Sequence, residues 1–375
     1  MAFYIGLMSG TSLDGVDGIL VSIPDDYSGG KLEILADANV PFERSFRKQL
    51  MQLQSADINE IELEGEVANT LAHKYAENIK MLLDKAALSP KDVTAAGVHG
   101  QTIRHRPELG FTRQTNNPAL VAELTGINII ADFRSRDIAA GGQGAPLVPA
   151  FHQAVFGSPK TTRVAINIGG IANISILYPD GMVTGFDTGP GNMLMDAFIQ
   201  ERLFEPYDKD GRWAAKGKVI DSLLESMLDD PYFEKAPPKS TGRDLFHLGW
   251  AKRHIFLTET DEKTHGADIQ ATLLMLTART IADAILEHAP NTEQVYLCGG
   301  GALNKHLVNT LRHLLQTKIP SLTLESSTAL GIDPMQVESL AFAWLAHRFT
   351  VRKPGNLPAV TGAKGFRILG ALYPA

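Results

Sequence analysis

Two stretches, Ile5-Gly6-Leu7-Met8-Ser9-Gly10 and Ile166-Asn167-Ile168-Gly169-Gly170, decide the fold, because each leads an apolar strand into a glycine-bearing turn. Each is followed by two more apolar runs that predict an antiparallel meander: Gly15 to Ile23 and Lys31 to Val40 in the first half, and Ile171 to Tyr178 and Met182 to Phe186 in the second. The repeated pattern predicts a duplicated unit.

Helical patterns and single strands follow each meander. Leu63, Val67, Leu71 and Tyr75 recur at spacings of four, which predicts one face of a helix. The later strands are predicted at Val93 to His99, Ile127 to Ala131, Gln294 to Cys298 and Ser321 to Leu324. The order predicts an α/β protein with mixed sheets. We place the domains at residues 1–158 and 159–352, with a tail at 353–375 that packs back on the first domain.

The composition is that of a globular protein of two-domain length. The 375 residues are 44% hydrophobic and 21% charged, and 35 basic against 42 acidic residues give a net charge of −7. We therefore expect no nucleic-acid partner. No apolar run approaches the length of about 20 residues that a membrane span needs, and the N-terminus has no leader pattern. The single cysteine, Cys298, excludes an intrachain disulfide and fits a reducing cytoplasm.

The segment Gly10 to Asp17 has the composition of a phosphate-binding turn. Its glycines and hydroxyls present backbone N–H groups with little side-chain obstruction. Asp14 is the natural carboxylate for a phosphate-bound Mg²⁺, contacted through water. The alternative is a plain hairpin with Asp14 in a turn role. A Walker A loop is excluded, since no Gly-Lys-Ser/Thr follows.

A second glycine turn, Gly169-Gly170, occupies the matching position of the second half. A plain hairpin explains either turn alone, but it explains the matched pair less well. The run Leu297 to Asn304 is a third candidate, because it leads a buried strand through three glycines into a helix. Consecutive glycines let a flat ring or a phosphate approach the backbone, so this run favours a nucleotide contact over a flexible link.

The segment Phe186 to Asn192 carries the best candidate for a catalytic carboxylate. Asp187 is predicted at the carboxyl end of a strand, where α/β proteins place ligands. The Gly-Pro-Gly turn beside it predicts free N–H groups at a helix N-terminus near Met193, suited to anionic groups. The alternative for Asp187 is a helix N-cap. We favour the catalytic interpretation, because the glycines clear space around the carboxylate.

Two polar segments of the first half are suited to hydrogen bonding with a hydroxylated substrate. One surrounds the end of a buried strand, and the other mixes charges with glycines. The candidate substrate-binding residues are His99, Gln101, Thr102, Arg134, Gln143 and Gly144. A core histidine is the alternative for His99.

A late helix carries a carboxylate on an apolar face. Asp333-Pro334-Met335-Gln336 has the pattern of a helix start. Glu338 then shares a face with Phe342, Leu345 and Phe349. A carboxylate on an apolar stripe is costly unless it is paired or used, so we favour an active-site role over snorkelling at the core edge.

Taken together, Met8 to Asp17, Asn167 to Asn173, Phe186 to Asn192 and Gly299 to Asn304 resemble the anhydro-N-acetylmuramic acid kinase family. The resemblance covers Ile5 to about Phe349, with the motifs in order. It implies two ribonuclease-H-like domains of the actin, hexokinase and heat-shock ATPase superfamily, with ATP in the interdomain cleft. The implied cofactor-binding residues are Gly10, Thr11, Ser12, Leu13, Asp14, Gly15, Val16, Asp17, Gly169, Gly170, Asn173, Gly189, Gly191, Asn192, Gly299, Gly300, Gly301 and Asn304.

The resemblance also implies a reaction. The family converts 1,6-anhydro-N-acetylmuramic acid, ATP and water into N-acetylmuramic acid 6-phosphate and ADP, in peptidoglycan recycling. By this resemblance Asp187 is the general base for water, Glu338 orients the water or the sugar, and Arg134 meets the lactyl carboxylate. ATP and Mg²⁺ are the implied cofactors, and a homodimer is the implied assembly. The alternatives are another small-molecule kinase of the superfamily and an ATP-driven conformational switch.

Overall fold

The computed structural model describes residues 2–10, 13–55, 57–243, 245–261 and 264–375. The chain divides into two compact units, one formed by Met1–Val155 with Gln336–Ala375 and the other by Phe156–Met335. The observed change of unit after residue 155 lies close to the predicted one after residue 158. The predicted end of the second domain at residue 352 is wrong, because residues 336–352 belong to the first unit.

The chain contains runs of consecutive strands followed by helices. The strands are β1 (Ala2–Met8), β2 (Gly15–Ile23), β3 (Glu33–Pro41), β4 (Val93–Val98), β5 (Gln101–Arg106), β6 (Phe111–Thr115), β7 (Ile129–Ala131), β8 (Arg163–Ile168), β9 (Ile171–Leu177), β10 (Val183–Pro190), β11 (Gln294–Cys298), β12 (Thr323–Ser326) and β13 (Ala371–Tyr373). The helices are α1 (Arg44–Gln52), α2 (Glu60–Ala86), α3 (Pro118–Thr125), α4 (Ser135–Ala139), α5 (Val148–Phe156), α6 (Met193–Leu203), α7 (Asp221–Leu228), α8 (Leu248–Leu257), α9 (Gly266–His288), α10 (Lys305–Lys318), α11 (Val337–Thr350) and α12 (Pro358–Thr361).

Local sequence signals account for many of these boundaries. Helix α3 begins where the Asn117 side chain accepts a hydrogen bond from the Leu120 N–H at 3.1 Å, with Pro118 in the first helical position. It ends at Gly126, whose φ of 64° is left-handed. On α2, Val67, Leu71 and Tyr75 are buried, as their spacing predicts.

The sheet of the first unit has the order β13-β7-β4-β1-β2-β3. Strands β1, β2 and β3 form an antiparallel meander, and β4 and β7 add in parallel to β1. The C-terminal strand β13 pairs antiparallel with β7, so the tail belongs to this sheet. A separate hairpin of β5 and β6 follows β4.

The sheet of the second unit has the order β10-β9-β8-β11-β12. Strands β8, β9 and β10 are antiparallel, and β11 and β12 are parallel to β8. Its order is the same as β3-β2-β1-β4-β7 of the first unit. This repeated mixed five-strand arrangement is the ribonuclease-H-like fold, so the predicted duplication and fold class are confirmed.

Helix α11 packs on β1, β2 and β4 of the first unit. Two strand glycines allow this close approach: a Cβ on Gly6 would lie 1.9 Å from the Ser339 carbonyl oxygen, and one on Gly97 would lie 2.1 Å from that of Phe342. The helix is buried on most of its surface, from Val337 to His347. This packing explains why the chain returns to the first unit at residue 336, before the predicted domain end at residue 352.

Helix α9 is the main core helix of the second unit. By length and composition it could cross a membrane, but 78% of its most apolar window is buried inside the protein. Its buried residues belong to the same hydrophobic cluster as Ile166 and Ile174 of the sheet. The helix is therefore part of the hydrophobic core of the second unit.

Candidate active site

The first glycine turn, between β1 and β2, is tied to the start of β5. The Ser9 hydroxyl donates a short hydrogen bond to Oε1 of Gln101. Gln101 in turn donates from Nε2 to the Gly10 carbonyl oxygen at 3.2 Å, and it is fully buried. Gln101 was predicted as a sugar ligand, and these contacts make it a support of the turn. Thr11 and Ser12, predicted to bind phosphate, lie outside the described residues.

The second part of the predicted phosphate segment faces the core. Leu13 and Val16 are 5% and 0% exposed and belong to the hydrophobic cluster of the first unit. Gly15 lies in β2, where a Cβ would come within 2.5 Å of the Val40 carbonyl oxygen. The side chains of Leu13 and Val16 therefore point into the core, and the predicted cofactor-binding role of these two residues stays a prediction that only their backbone groups could meet.

Asp14 and Asp17 are the two acidic groups of this turn. Asp14 is exposed and forms an ion pair with Arg47, whose Nε also donates to the Leu13 carbonyl oxygen at 2.7 Å. Asp17 accepts a hydrogen bond from the Asn39 amide at 2.7 Å. Burial raises the pKa of Asp17, and the charge of Asp14 contributes in the same direction. The two carboxylates therefore lie close enough to influence each other.

These carboxylates fit a metal ion that arrives with a polyphosphate. Among the described ranges, no group of three or more His, Cys, Asp or Glu side chains is arranged to hold a metal ion. Mg²⁺ bound to nucleotide phosphates needs only one or two protein carboxylates and keeps several waters. The donor set of Asp14 and Asp17 matches that requirement and does not match an all-protein cage.

Arg134 is the centre of the polar cluster in the first unit. Its Nε and Nη2 lie 3.1 and 2.9 Å from Nε2 of His99, and its Nη1 donates to the Gly144 carbonyl oxygen at 2.8 Å. Burial, and then the charge of Arg134, hold the pKa of His99 well below its ordinary value. His99 is therefore a neutral acceptor that orients Arg134. It is 5% exposed, which supports the core alternative for this residue.

Helix α11 brings Glu338 towards the same cluster. The Phe342 ring lies 4.7 Å from the His99 ring, and Glu338 precedes Phe342 by one helical turn. Burial lowers the pKa of Arg134 to about 10, while the charges of Glu338 and Asp137 act in the opposite direction. Glu338 thus lies within electrostatic reach of Arg134, and it is only partly buried.

Asp137 organises the glycine loop that follows α4, a role that sequence reasoning missed. This fully buried carboxylate accepts hydrogen bonds from the Gly144 N–H at 2.9 Å, the Asn356 amide at 2.7 Å and the Thr361 hydroxyl at 2.9 Å. Its partners Asn356 and Thr361 lie more than 200 residues away, beyond the reach of any local pattern.

The remaining predicted sugar ligands lie on the β5–β6 hairpin and the glycine loop. Thr102 accepts a hydrogen bond from the Gln114 amide at 3.1 Å through its hydroxyl, and Gln143 is exposed. His105, which was not predicted, neighbours both Arg134 and Gln143. Burial and the charge of Arg134 lower the pKa of His105 to about 4, so it too is neutral. The cluster therefore combines one guanidinium with two neutral imidazoles.

A polar row crosses the sheet of the second unit. Asp187 pairs with Asn173 across β10 and β9, and Asn173 pairs with Asn167 across β9 and β8. Directly opposed residues of neighbouring strands point to the same face, so these three side chains share one face. Two residues away along each strand, the same face carries the small residues Ala165, Ser175 and Gly185, which are also paired across the three strands. Small neighbours leave room beside the row.

Asp187 lies inside β10, not at the end of a strand as predicted, because β10 continues to Pro190 through an irregularity between Asp187 and Gly189. Its Oδ2 accepts a hydrogen bond from the Thr241 N–H at 3.0 Å. Burial raises the pKa of Asp187 to about 7, while the Thr241 N–H acts to lower it. The group can therefore take up or release a proton near neutral pH.

The turn at Gly169 and Gly170 packs directly against the start of α6. Gly191 and Met193 donate their N–H groups to the Gly170 carbonyl oxygen at 2.8 and 3.2 Å, and Asn192 donates to that of Gly169 at 2.8 Å. The prediction of free N–H groups at this helix start is therefore wrong, because these groups donate hydrogen bonds to the carbonyl oxygens of the neighbouring turn. A Cβ on Gly191 would lie 2.3 Å from the Gly169 carbonyl oxygen, so only glycine permits the contact.

The three-glycine run joins the same region. Gly299 has a φ of 78°, and a Cβ there would lie 2.4 Å from Oδ1 of Asn167. Gly301 packs on Ile168, where a Cβ would come within 2.3 Å of the side chain. Asn304, predicted to contact the cofactor, uses its Oδ1 to accept the Leu307 N–H at 3.1 Å as the N-cap of α10. The predicted glycine segments of the second unit are thus brought together around Asn167 to Gly170.

An α/β protein with two such sheets and a glycine turn after the first strand of each has the architecture of the ATP-dependent sugar kinases. A sequence model of the family described as "Anhydro-N-acetylmuramic acid kinase" matches residues 2–375. The chain belongs to this family.

Curated relatives carry the same description. The anhydro-N-acetylmuramic acid kinase of Burkholderia orbicola (strain AU 1054) is 54% identical over 374 residues, covering 99% of this chain and 96% of the relative. That of Burkholderia pseudomallei (strain K96243) is 53% identical over 384 residues, covering 99% and 97%. The similarity spans the whole chain, so it includes every candidate site segment.

Similarity to solved structures is distant. An activator of the 2-hydroxyisocaproyl-CoA dehydratase from Clostridium difficile with bound ADPNP has 13% identity and a TM-score of 0.48, covering 93% of this chain and 96% of that chain. A ROK family glucokinase from Streptomyces griseus in complex with glucose and AMPPNP has 11% identity and a TM-score of 0.42, covering 92% and 99%. At these values neither structure informs the function of this chain.

Proposed function

We propose that this protein is an ATP-dependent kinase that converts 1,6-anhydro-N-acetylmuramic acid, ATP and water into N-acetylmuramic acid 6-phosphate and ADP. Membership of the family supports this substrate. The same membership supports a place in peptidoglycan recycling and amino-sugar catabolism, in the cytoplasm.

The observation that supports the proposal most directly is the raised pKa of the Asp187 carboxyl. A carboxyl with a pKa of about 7 is ionised in part of the molecules at neutral pH and is basic enough to accept a proton from water. An ordinary surface aspartate, with a pKa of about 4, is a much weaker base. Such a base can deprotonate the water that opens the anhydro bridge.

The bond changes balance as follows. Asp187 takes a proton from water, and the water oxygen forms a bond to the anomeric carbon of the sugar. The bond from that carbon to O6 breaks, and O6 forms a bond to the γ-phosphorus of ATP. The bond from this phosphorus to the bridging oxygen breaks, and ADP leaves. Asp187 then returns its proton to solvent, so one proton is released per turnover.

Residues of the first unit would hold the sugar and the phosphates. Arg134, oriented by His99 and Gly144, offers its guanidinium to the lactyl carboxylate. Glu338, held within electrostatic reach of Arg134, orients the water or a sugar hydroxyl. The Ser9–Gly10 turn, Asp14 and Asp17 would hold the phosphates and their Mg²⁺, which supplies neutralisation of the phosphate charge.

The test is a turnover assay in ¹⁸O-labelled water with purified protein, ATP, Mg²⁺ and the anhydro-sugar. We expect ADP formation only when the sugar is present, with the label on the anomeric hydroxyl of the rapidly quenched product and none on phosphate. Sugar-independent release of labelled inorganic phosphate would instead indicate an ATP-driven switch. Faster turnover of another hexose or of a small carboxylate would indicate a different kinase.

We further propose that the protein acts as a homodimer, as the family resemblance implies. Light scattering coupled to size-exclusion chromatography measures the mass directly. A mass of 40.7 kDa, that of one chain, at micromolar concentration would contradict the dimer without affecting the proposed reaction.

A further inference from the structure

The outer edge of β10 is covered by a segment that we call the Asp187 strap, residues 232–241. It holds Asp187 through three hydrogen bonds. The Asp187 N–H donates to the Lys239 carbonyl oxygen at 3.1 Å, and the Tyr232 hydroxyl donates to the Asp187 carbonyl oxygen at 2.6 Å. The third bond is that from the Thr241 N–H to Oδ2 at 3.0 Å. Backbone and carboxylate of one residue are thus fixed by the same segment.

Lys239 closes the strap on itself. Its ammonium donates to the carbonyl oxygens of Phe233 at 3.1 Å and Tyr232 at 3.4 Å, and it lies 5.0 Å from the centre of the Tyr232 ring. Burial lowers the pKa of Lys239, and the charge of Glu287 opposes this. By donating to these two carbonyl oxygens, the partly buried Lys239 side chain links the two ends of the strap, residues 232–233 and 239–241, that contact Asp187.

Apolar packing anchors the strap at the irregularity of β10. Gly189 has a φ of 148°, and a Cβ there would lie 2.8 Å from the Phe233 ring. The rings of Tyr232 and Phe246 lie 5.7 and 5.6 Å from that of Phe233. The start of the strap is therefore packed firmly beside Asp187. The position of its other end, residues 239–241, relative to the Asp187 carboxylate depends on the Lys239 contacts.

We propose that Lys239 is a positioning residue for Asp187: by tying residues 232 and 233 to the 239–241 end of the strap, it keeps the Thr241 N–H on the carboxylate and so sets the basicity of the proposed base. The inference rests on the proposed role of Asp187. Lys239 acts through this hydrogen bond, since the Thr241 N–H donates to Oδ2 of Asp187 at 3.0 Å and lowers the pKa of that carboxyl.

Other ionisable groups lie near the strap. The charge of Asp187 acts on Tyr232, and the charges of Glu287 and Lys235 act on Lys239. The His288 ring lies edge-on to the ring of Phe186, the residue before Asp187, with 5.0 Å between the ring centres. The exposed Lys235, which lies 5.8 Å from the Tyr232 ring, is a matched control for loss of a lysine beside the strap.

The experiment compares Lys239→Met, Lys239→Arg and Lys235→Met with the unchanged protein across pH 5.5–9.5. In Lys239→Met the acidic limb of kcat/KM for the sugar should move up by about one pH unit, because the ionised carboxylate loses a donor. Its activity should fall about fivefold at pH 7 and return to the unchanged level at pH 9. Lys239→Arg should restore the profile and Lys235→Met should leave it unchanged. A uniform loss at every pH would overturn the inference.

A second measurement does not depend on turnover. Selective ¹³C labelling of aspartate carboxyls, with the Asp187 signal assigned from Asp187→Asn, follows the titration of this group in the resting protein. Tyr232→Phe, which removes one strap bond and keeps the ring, should shift it upward by less than Lys239→Met does. An unshifted Asp187 titration in both variants overturns the inference even if sugar turnover is normal. Absence of sugar turnover in the unchanged protein would contradict the proposed function alone.

Discussion

Strands β3 and β10 occupy the same place in the two sheets, at the edge of the antiparallel meander, yet they differ in what they do. Along β3, exposed and buried residues alternate for most of its length, as in a strand with one solvent face. Strand β10 is buried over most of its length, carries Asp187 and is covered at its edge by the strap. By the proposed role of Asp187, the same fold position is structural in one unit and chemical in the other, as expected where function depends on particular residues and not on the fold.

The largest effect on this comparison is expected from Asp187→Asn, which leaves β10 in place and removes only the proposed base. Turnover should fall by about 10³-fold, within the range for loss of a general base. The binding of ATP, measured by calorimetry, should remain. Asp180→Asn, a change in the exposed turn before β10, is the control and should keep full activity. Near-normal turnover of Asp187→Asn would remove Asp187 as the base.

Arg134→Lys tests whether the polar cluster around Arg134 in the first unit binds the sugar, in contrast to the proposed base on β10. Lysine is a point charge and does not reproduce the planar contacts to His99 and Gly144. We expect KM for the sugar to rise about 30-fold, with a smaller change in kcat and none in KM for ATP. Arg136→Lys, an exposed change two residues away, should change neither constant. An unchanged KM for the sugar in Arg134→Lys would contradict the assignment.

The pH dependence sharpens the contrast, because β10 carries a carboxyl, that of Asp187, whose pKa burial raises to about 7. The base must be ionised, so kcat/KM should fall about tenfold per pH unit below pH 7. Because this folded-state pKa is raised, the folded protein binds more protons between about pH 4 and 7, and stability should decrease as pH rises through that window. Melting curves of Asp187→Asn at pH 5 and 8 should show a smaller decrease.

The strands and the glycine turns could be predicted, since an apolar run and a turn signal are local. The β5–β6 hairpin was missed because Gln101–Arg106 and Phe111–Thr115 are mostly polar. The return of α11 to the first unit is non-local, because it depends on glycines more than 240 residues earlier in the chain. The strap was missed for a different reason. Residues 232–241 have no periodicity, and Pro237-Pro238 signals a loop without revealing its partner.

The same limit applies to the candidate site. The sequence identified Asp187 and Arg134 by residue type and neighbouring glycines. It did not reveal that the N–H groups of Gly191 to Met193 are consumed by the Gly169–Gly170 turn, since that depends on how two turns pack. It also missed Asp137, whose partners come from the tail.

Gly6→Ala tests the close helix packing on the sheet of the first unit. The added Cβ would lie 1.9 Å from the Ser339 carbonyl oxygen, so α11 must move outward. We expect a loss of about 2 kcal/mol in the free energy of unfolding, measured by urea denaturation. Gly65→Ala on α2, where nothing lies within 4 Å, is the matched control and should stabilise by about 0.8 kcal/mol. Equal effects of the two changes would contradict the packing account.

Asp14→Asn gives the smallest expected effect and separates the first glycine turn from its counterpart at Gly169. Asp14 is exposed and paired with Arg47, while Asp17 remains as a second carboxylate nearby. By the proposed role of the two carboxylates in holding Mg²⁺, loss of one should raise the Mg²⁺ concentration for half-maximal activity about threefold, with kcat nearly unchanged. Arg47→Met frees the Asp14 carboxylate and should lower that concentration. If both changes raise it equally, the ion pair orders the turn and Asp14 has no direct part in holding the metal, whereas opposite shifts place the Asp14 charge beside the phosphates.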